Sequence, residues 1–125
     1  MANELILIVE DNEKNLKLTR DVLRFHGFRT IEAPDGETGV RLAAEQLPAL
    51  ILMDIQMPGI DGIEALRRIR SAEATAGIPT VALTASVMSG DRERFDAAGF
   101  DGFIAKPIDI KAFPDQVRSH LETKR

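Results

Sequence analysis

Short apolar runs recur along the chain at Leu5–Val9, Leu50–Met53, Thr80–Leu83 and Gly102–Ala105, with a weaker run at Arg29–Ala33. Segments of helical period separate them. Runs such as LILIV and LILM have no polar face, which suits strands covered on both sides in a parallel sheet. The intervening segments carry helix punctuation. Asn12 or Glu13 opens a helix whose Leu18, Val22 and Phe25 share one face, and Gly27 stands where a glycine stops a helix. Asp35-Gly36 opens a second through Val40, Leu42 and Ala44, ending before Pro48. Asp61-Gly62 opens a third through Ile63, Leu66 and Ile69, with Arg67, Arg68 and Arg70 toward the end where the helix dipole favours cations. Ser89-Gly90 precedes a fourth with Phe95 and Ala98 inward, closed by Gly99, and Asp109 caps a fifth carrying Val117 and Leu121. Five strands alternating with five helices predict a right-handed, doubly wound α/β sandwich. Pro114 conflicts with a helix starting at Asp109, because it removes a donor and crowds the preceding turn. Either that helix starts late or its first turn is distorted.

Composition narrows the chemistry. The 125 residues fit one domain, given ~100–200 residues per domain. There are 16 Lys and Arg against 20 Asp and Glu, a net charge of −4, and the basic residues are scattered, so no electrostatic footprint for nucleic acid is present. Without cysteine there is no disulfide, thiolate nucleophile or Cys-based metal site. No apolar run approaches the ~20 residues of a membrane span, and the start MANELILIVEDN has no signal-peptide pattern. A soluble, cytoplasmic chain with no membrane partner is expected.

In open parallel α/β sheets, ligands bind beyond the C-terminal ends of the strands. The first strand ends in Glu10-Asp11, the third in Asp54, the fourth in Thr84 and the fifth in Lys106-Pro107. Each alone reads as a turn, a cap or an ordinary loop. Together they place three carboxylates, a hydroxyl and an amine on one edge. Three adjacent carboxylates repel unless a cation neutralises them, and Mg2+ is the hard, oxygen-seeking ion that does so while meeting phosphate. Lys106 offers a point charge and Thr84 a hydroxyl to phosphoryl oxygens, and Asp54 between them is a candidate nucleophile for an aspartyl phosphate.

With LIVEDN (7–12), MDIQMPGIDG (53–62), ALTA (82–85) and IAKPI (104–108) in place, the chain resembles a response-regulator receiver domain of two-component signalling from end to end. The EDNEKN and KPID contexts look closest to stand-alone DivK-type regulators. The resemblance implies a flavodoxin-like, CheY-like fold of five parallel strands in order 2-1-3-4-5. It implies that Asp54 is the phosphoacceptor for a histidine kinase or phosphotransfer protein. Mg2+ would be held by Asp11, Asp54 and the Gln56 backbone carbonyl, with Glu10 acting directly or through water. Thr84 and Lys106 would contact the phosphoryl oxygens, the Lys106-Pro107 bond would be cis, and Gly62 would allow the turn after the phosphorylation loop. Phosphorylation would draw Thr84 inward and let Phe103 rotate into the vacated space. Gln56 and Ser86 would govern access of hydrolytic water. Met88, Asp91, Arg92 and Phe95 lie on or near the helix whose face receivers use for partners or dimers, although Phe95 also reads as core.

These implications make the chain, residues 1–125, a single receiver domain without an output domain. It would be a phosphoacceptor signalling protein rather than an enzyme, self-phosphorylating from small phosphodonors, autodephosphorylating, and acting on a downstream protein or as a phosphorylation-dependent dimer. A receiver cut from a hybrid kinase and a Mg2+-dependent aspartyl-phosphate hydrolase are the alternatives; the second lacks the D-x-D pattern, since position 56 is Gln. Neither a G-x-G-x-x-G nor a P-loop follows the first strand. Asn15, Leu16, Thr19 and Ile108 are candidates for kinase docking. His26, His120 and the three arginines read as solvated surface.

Overall fold

Alternation along each strand sends successive side chains to opposite faces, so an all-apolar strand must be covered twice. The computed structural model, which describes residues 4–85 and 91–122, shows this arrangement. Strands β1 (Leu5–Val9), β2 (Arg29–Ala33), β3 (Leu50–Asp54), β4 (Thr80–Thr84) and β5 (Gly102–Ala105) form one parallel sheet in the order β2-β1-β3-β4-β5. Leu7, Val9, Ile51, Met53 and Ala82 face one core layer, with Ala43, Leu66 and Phe95 from the helices. Ile6, Ile8, Leu50, Leu52, Val81 and Leu83 face the other, with Leu23, Phe113 and Val117. The central β3 and β4 are buried throughout, and Asp54 and Thr84 are their last residues.

The helices are α1 (Glu13–Phe25), α2 (Gly36–Gln46), α3 (Gly62–Ser71), α4 (Asp91–Ala98) and α5 (Phe113–Glu122). Asn12, Asp35 and Asp61 cap the first three, each accepting a backbone N–H three residues on. No helix among the described residues is long and apolar enough to cross a membrane.

Several faces differ from the sequence expectation. Phe25 is 85% exposed and Leu18 is exposed as well, while Thr19, Val22 and Leu23 are buried. Thr19 joins the inward stripe because its Oγ1 donates 2.7 Å to the Asn15 carbonyl, which satisfies the hydroxyl within the helix. On α2 the buried positions are Gly36, Gly39 and Ala43, not Ala44. A side chain at Gly39 would meet Val9, so the close approach of α2 to β1 requires glycine there. The fifth helix starts late. Asp109 Oδ1 accepts from the amides of Lys111 and Ala112 in a preceding turn, so Pro114 falls in the first turn of α5, where a missing donor costs nothing.

Arg70 is not solvated surface. Its guanidinium donates to the carbonyls of Ala76, Ile78 and Gly99 and pairs with Asp101, and it is 18% exposed. His120 is likewise half-buried, its ring against Gly102 of β5. Burial lowers its pKa, against the pull of Asp101. Arg67 and Arg68 do lie at the surface, both paired with Glu64, whose carboxyl these contacts hold at about 2.

Leu47 ends α2 at φ 47, in the left-handed region, with its side chain 56% exposed. A branched residue there carries strain of ~1–2 kcal/mol, part of which glycine would return as unfolded-chain entropy. Leu47→Gly is therefore expected to stabilise the protein by about 0.5–1 kcal/mol in urea denaturation, and a loss of stability would show that Leu47 makes contacts that outweigh the strain.

Candidate phosphoryl-acceptor site

The chain leaves β1 toward β2 on one side, and β3 adds on the other side of β1, so a crevice opens above the carboxyl ends of β1 and β3. The carboxylates stand around it. The Glu10 amide still bonds the Ala33 carbonyl at 3.0 Å, which keeps its side chain against the sheet edge, 1% exposed. Asp11, one residue further, is exposed. Asp54 is buried at 4% exposure. Carboxylate oxygens of Glu10, Asp11 and Asp54 come within 4.8 Å of one another.

Lys106 reaches in from the loop after β5. Its Nζ lies 3.2 Å from Glu10 Oε1 and 3.3 Å from Asp54 Oδ1. Its amide bonds the Thr84 carbonyl at 2.8 Å, extending the β4–β5 ladder to the site, and the Lys106–Pro107 bond is cis. The Gln56 amide donates to Asp54 Oδ1 at 3.4 Å, so the loop after β3 turns its backbone toward the carboxylate. Gly62 permits that turn: its N–H bonds the Ile55 carbonyl at 2.9 Å, and any Cβ would run into the Asp54 carbonyl oxygen.

These side chains enclose a cavity of about 210 Å³, walled also by Asn12, Asn15, Gln56, Thr84 and Ala85. Asn15 stands one turn into α1 from Asp11, a wall residue that helix spacing makes legible in retrospect. Thr84 is buried at 5% exposure at the end of β4. Phe103 is half-buried and does not line this cavity; its ring stands 6.5 Å from that of Phe95, tilted, while Phe95 itself is core at 1% exposure. Leu16 is partly buried against the sheet and Ile108 packs on the same layer. Ser86 and Met88, and the side chains of Asp91 and Arg92, lie outside the described residues.

The electrostatics are those of a cluster one cation short. Burial raises the pKa of Asp54 first of all, the Glu10 carboxylate adds to it, and Lys106 opposes both. Burial also works against the Lys106 ammonium, yet Asp54 and Glu10 outweigh it and hold the lysine above its usual value. One ammonium facing three carboxylates leaves negative charge unmet, and a set of oxygen donors only is the chemistry a hard divalent cation prefers. The residues present therefore fit Mg2+.

Comparison with known proteins points the same way. The family model of the response regulator receiver domain matches residues 6–118. The polar-differentiation response regulator DivK of Brucella ovis is 41% identical over 116 residues, 93% of this chain and 94% of that protein. The receiver domain of sensor histidine kinase PA1611 from Pseudomonas aeruginosa PAO1, solved with a magnesium ion coordinated in its active site cleft, is 36% identical with TM-score 0.89, over 98% of this chain and 100% of that one. The chemotaxis protein CheY4 of Vibrio cholerae shares the fold at TM-score 0.89 and 21% identity, over 94% of this chain and 98% of that one.

Proposed function

This chain belongs to the response regulator receiver family, and on that premise we propose that it is a phosphorylation-controlled protein switch whose phosphoacceptor is Asp54. The observation that carries the reading is Lys106 Nζ, 3.3 Å from Asp54 Oδ1 at the mouth of a cavity walled by three carboxylates. An Asp54 oxygen bonds to the phosphorus of a histidine kinase or phosphotransfer protein as the donor's P–N bond breaks, and the electron pair leaves with the imidazole. Lys106 stays within reach of the incoming phosphoryl oxygens, and the Thr84 hydroxyl donates to another. Asp11 and Asp54, with the Gln56 carbonyl and Glu10 directly or through water, would hold Mg2+, which supplies the positive charge that the carboxylates and the phosphoryl group lack.

The phosphoryl group adds nearly two negative charges beside β4. Thr84 moves toward it, space opens behind, and Phe103 turns into that space, so the face around α4, β5 and α5 changes for a downstream protein or a second copy of the chain. Self-phosphorylation from small phosphodonors and autodephosphorylation follow from the same site, and the single receiver unit works in the cytoplasm through protein contacts.

Incubation with Mg2+ and acetyl phosphate tests this by intact mass. One added phosphoryl group is expected, dependent on Mg2+ and absent in Asp54→Asn. No adduct under any condition would end the switch reading, and rapid release of phosphate over many turnovers would favour a hydrolase.

A further inference from the structure

A second cavity, of about 480 Å³, lies between the loop after β3 and α4. It shares Ile55 and Gln56 with the carboxylate cavity, so the two adjoin across those residues. Met57, Pro58 and Ile63 give it an apolar wall. Arg94 gives it a cation, with the guanidinium carbon 5.3 Å from the centroid of the Phe95 ring. Arg67, Arg68 and Arg70 are all paired with carboxylates, but among the described residues none pairs with Arg94. The one acid in this wall, Asp61, accepts the Glu64 amide as the cap of α3, and the positive end of that helix meets its charge. Beside a strongly acidic pocket, a guanidinium that has no ion-pair partner among the described residues, in a cavity with an apolar wall of Met57, Pro58 and Ile63, is suited to a small anion with an apolar body.

We propose that this cavity receives the leaving group of acyl phosphate donors, with Arg94 binding the departing carboxylate, so that Arg94 sets which small phosphodonors the chain accepts. The inference rests on Asp54 being the phosphoacceptor. In the step, an Asp54 oxygen bonds to phosphorus while the bond from phosphorus to the acyl oxygen breaks, and the electron pair goes to that oxygen. Acetate leaves as a carboxylate, and no proton has to move. The negative charge developing on the leaving oxygen is what a guanidinium recognises, and its planar fork matches a carboxylate. Phosphoramidate transfers the same phosphoryl group but releases ammonia, which gives Arg94 nothing to bind.

The difference between donors is the test. Initial rates of adduct formation are measured with Mg2+ and acetyl phosphate, carbamoyl phosphate or phosphoramidate, for wild type, Arg94→Gln and Arg94→Lys. Arg94→Gln is expected to slow the first two donors about fivefold, the scale of a partly exposed charge pair, and to leave phosphoramidate unchanged. Arg94→Lys should recover part of the loss. Equal slowing with all three donors would mean that Arg94 only supports the fold, and no slowing with any would mean that the cavity does not take the leaving group; either overturns the proposal. No adduct on wild type from any donor would overturn the phosphoacceptor reading itself, and this proposal with it.

Discussion

Lys106→Met is expected to lower the stability of the metal-free protein at pH 7 by about 3 kcal/mol, because it removes one member of a buried ionic group and leaves the others charged. Glu10 and Asp54 are 1% and 6% exposed at their side chains, and the ammonium bridges both. The pH dependence identifies the cause. Asp54 is held above the usual carboxylate range, so it costs the fold least when protonated, and its burden grows as pH rises through the folded value. Removing Lys106 raises that burden further, so the difference between wild type and variant should shrink as pH falls below the carboxylate range. At the alkaline end, Lys106 titrates above its usual value of 10.5, so its contribution is intact below that pH and is lost as pH rises through the higher folded value. Wild type should then fall toward the variant. Adding Asp54→Asn to Lys106→Met should recover much of the loss in urea denaturation, the signature of coupled sites. A loss below about 1 kcal/mol that does not vary with pH would show that the lysine is not balancing buried charge.

Arg70→Ala should cost nearly as much, at the opposite end of the sheet. The guanidinium ties the end of α3 to two other segments through four acceptors: the carbonyls of Ala76 at 3.2 Å and Ile78 at 2.8 Å on one, and the Gly99 carbonyl at 3.2 Å and Asp101 Oδ2 at 2.9 Å on the other. That same Asp101 oxygen accepts the Thr80 amide at 2.8 Å, which fixes the entry of β4. Truncation strands several acceptors and a half-buried carboxylate, so about 3 kcal/mol is expected, or about 10 °C in Tm for a chain of this size. Arg70→Lys should retain only a small part, because one ammonium cannot span acceptors that a planar fork reaches from two sides. Full stability in the lysine variant would show that charge alone, not the fork, holds these segments.

Strands β1, β3 and β4 were legible because burial on both faces removes polar positions, and with the short apolar run of β5 their carboxyl ends are readable by counting. That places Glu10, Asp11, Asp54, Thr84 and Lys106 near one edge. Their mutual distances depend on the order β2-β1-β3-β4-β5, which only the family resemblance supplied. Helix caps at Asn12, Asp35 and Asp61 were readable too, since capping is local chemistry. The inward faces of α1 and α2 were not. Thr19 and Gly39 lie in buried stripes that an apolar count skips, one with its hydroxyl bonded internally and the other small enough for close packing. Arg70 misled for a different reason: Asp101 is 31 residues away, and nothing local in an arginine at a helix end distinguishes a clip from a solvated side chain. Arg94 and Gln56 line one cavity only because the fold brings α4 over the loop after β3.

Reductive trapping tests the central claim most directly. The protein is incubated with acetyl phosphate and Mg2+, treated with borohydride, which reduces an acyl phosphate to the alcohol, and mapped by peptide mass spectrometry. Conversion to homoserine is expected at Asp54 alone, and only when Mg2+ is present. Reduction at Glu10 or Asp11 instead, or equal conversion at Asp54 with the metal chelated, would contradict the assignment of Asp54 as the metal-dependent phosphoacceptor.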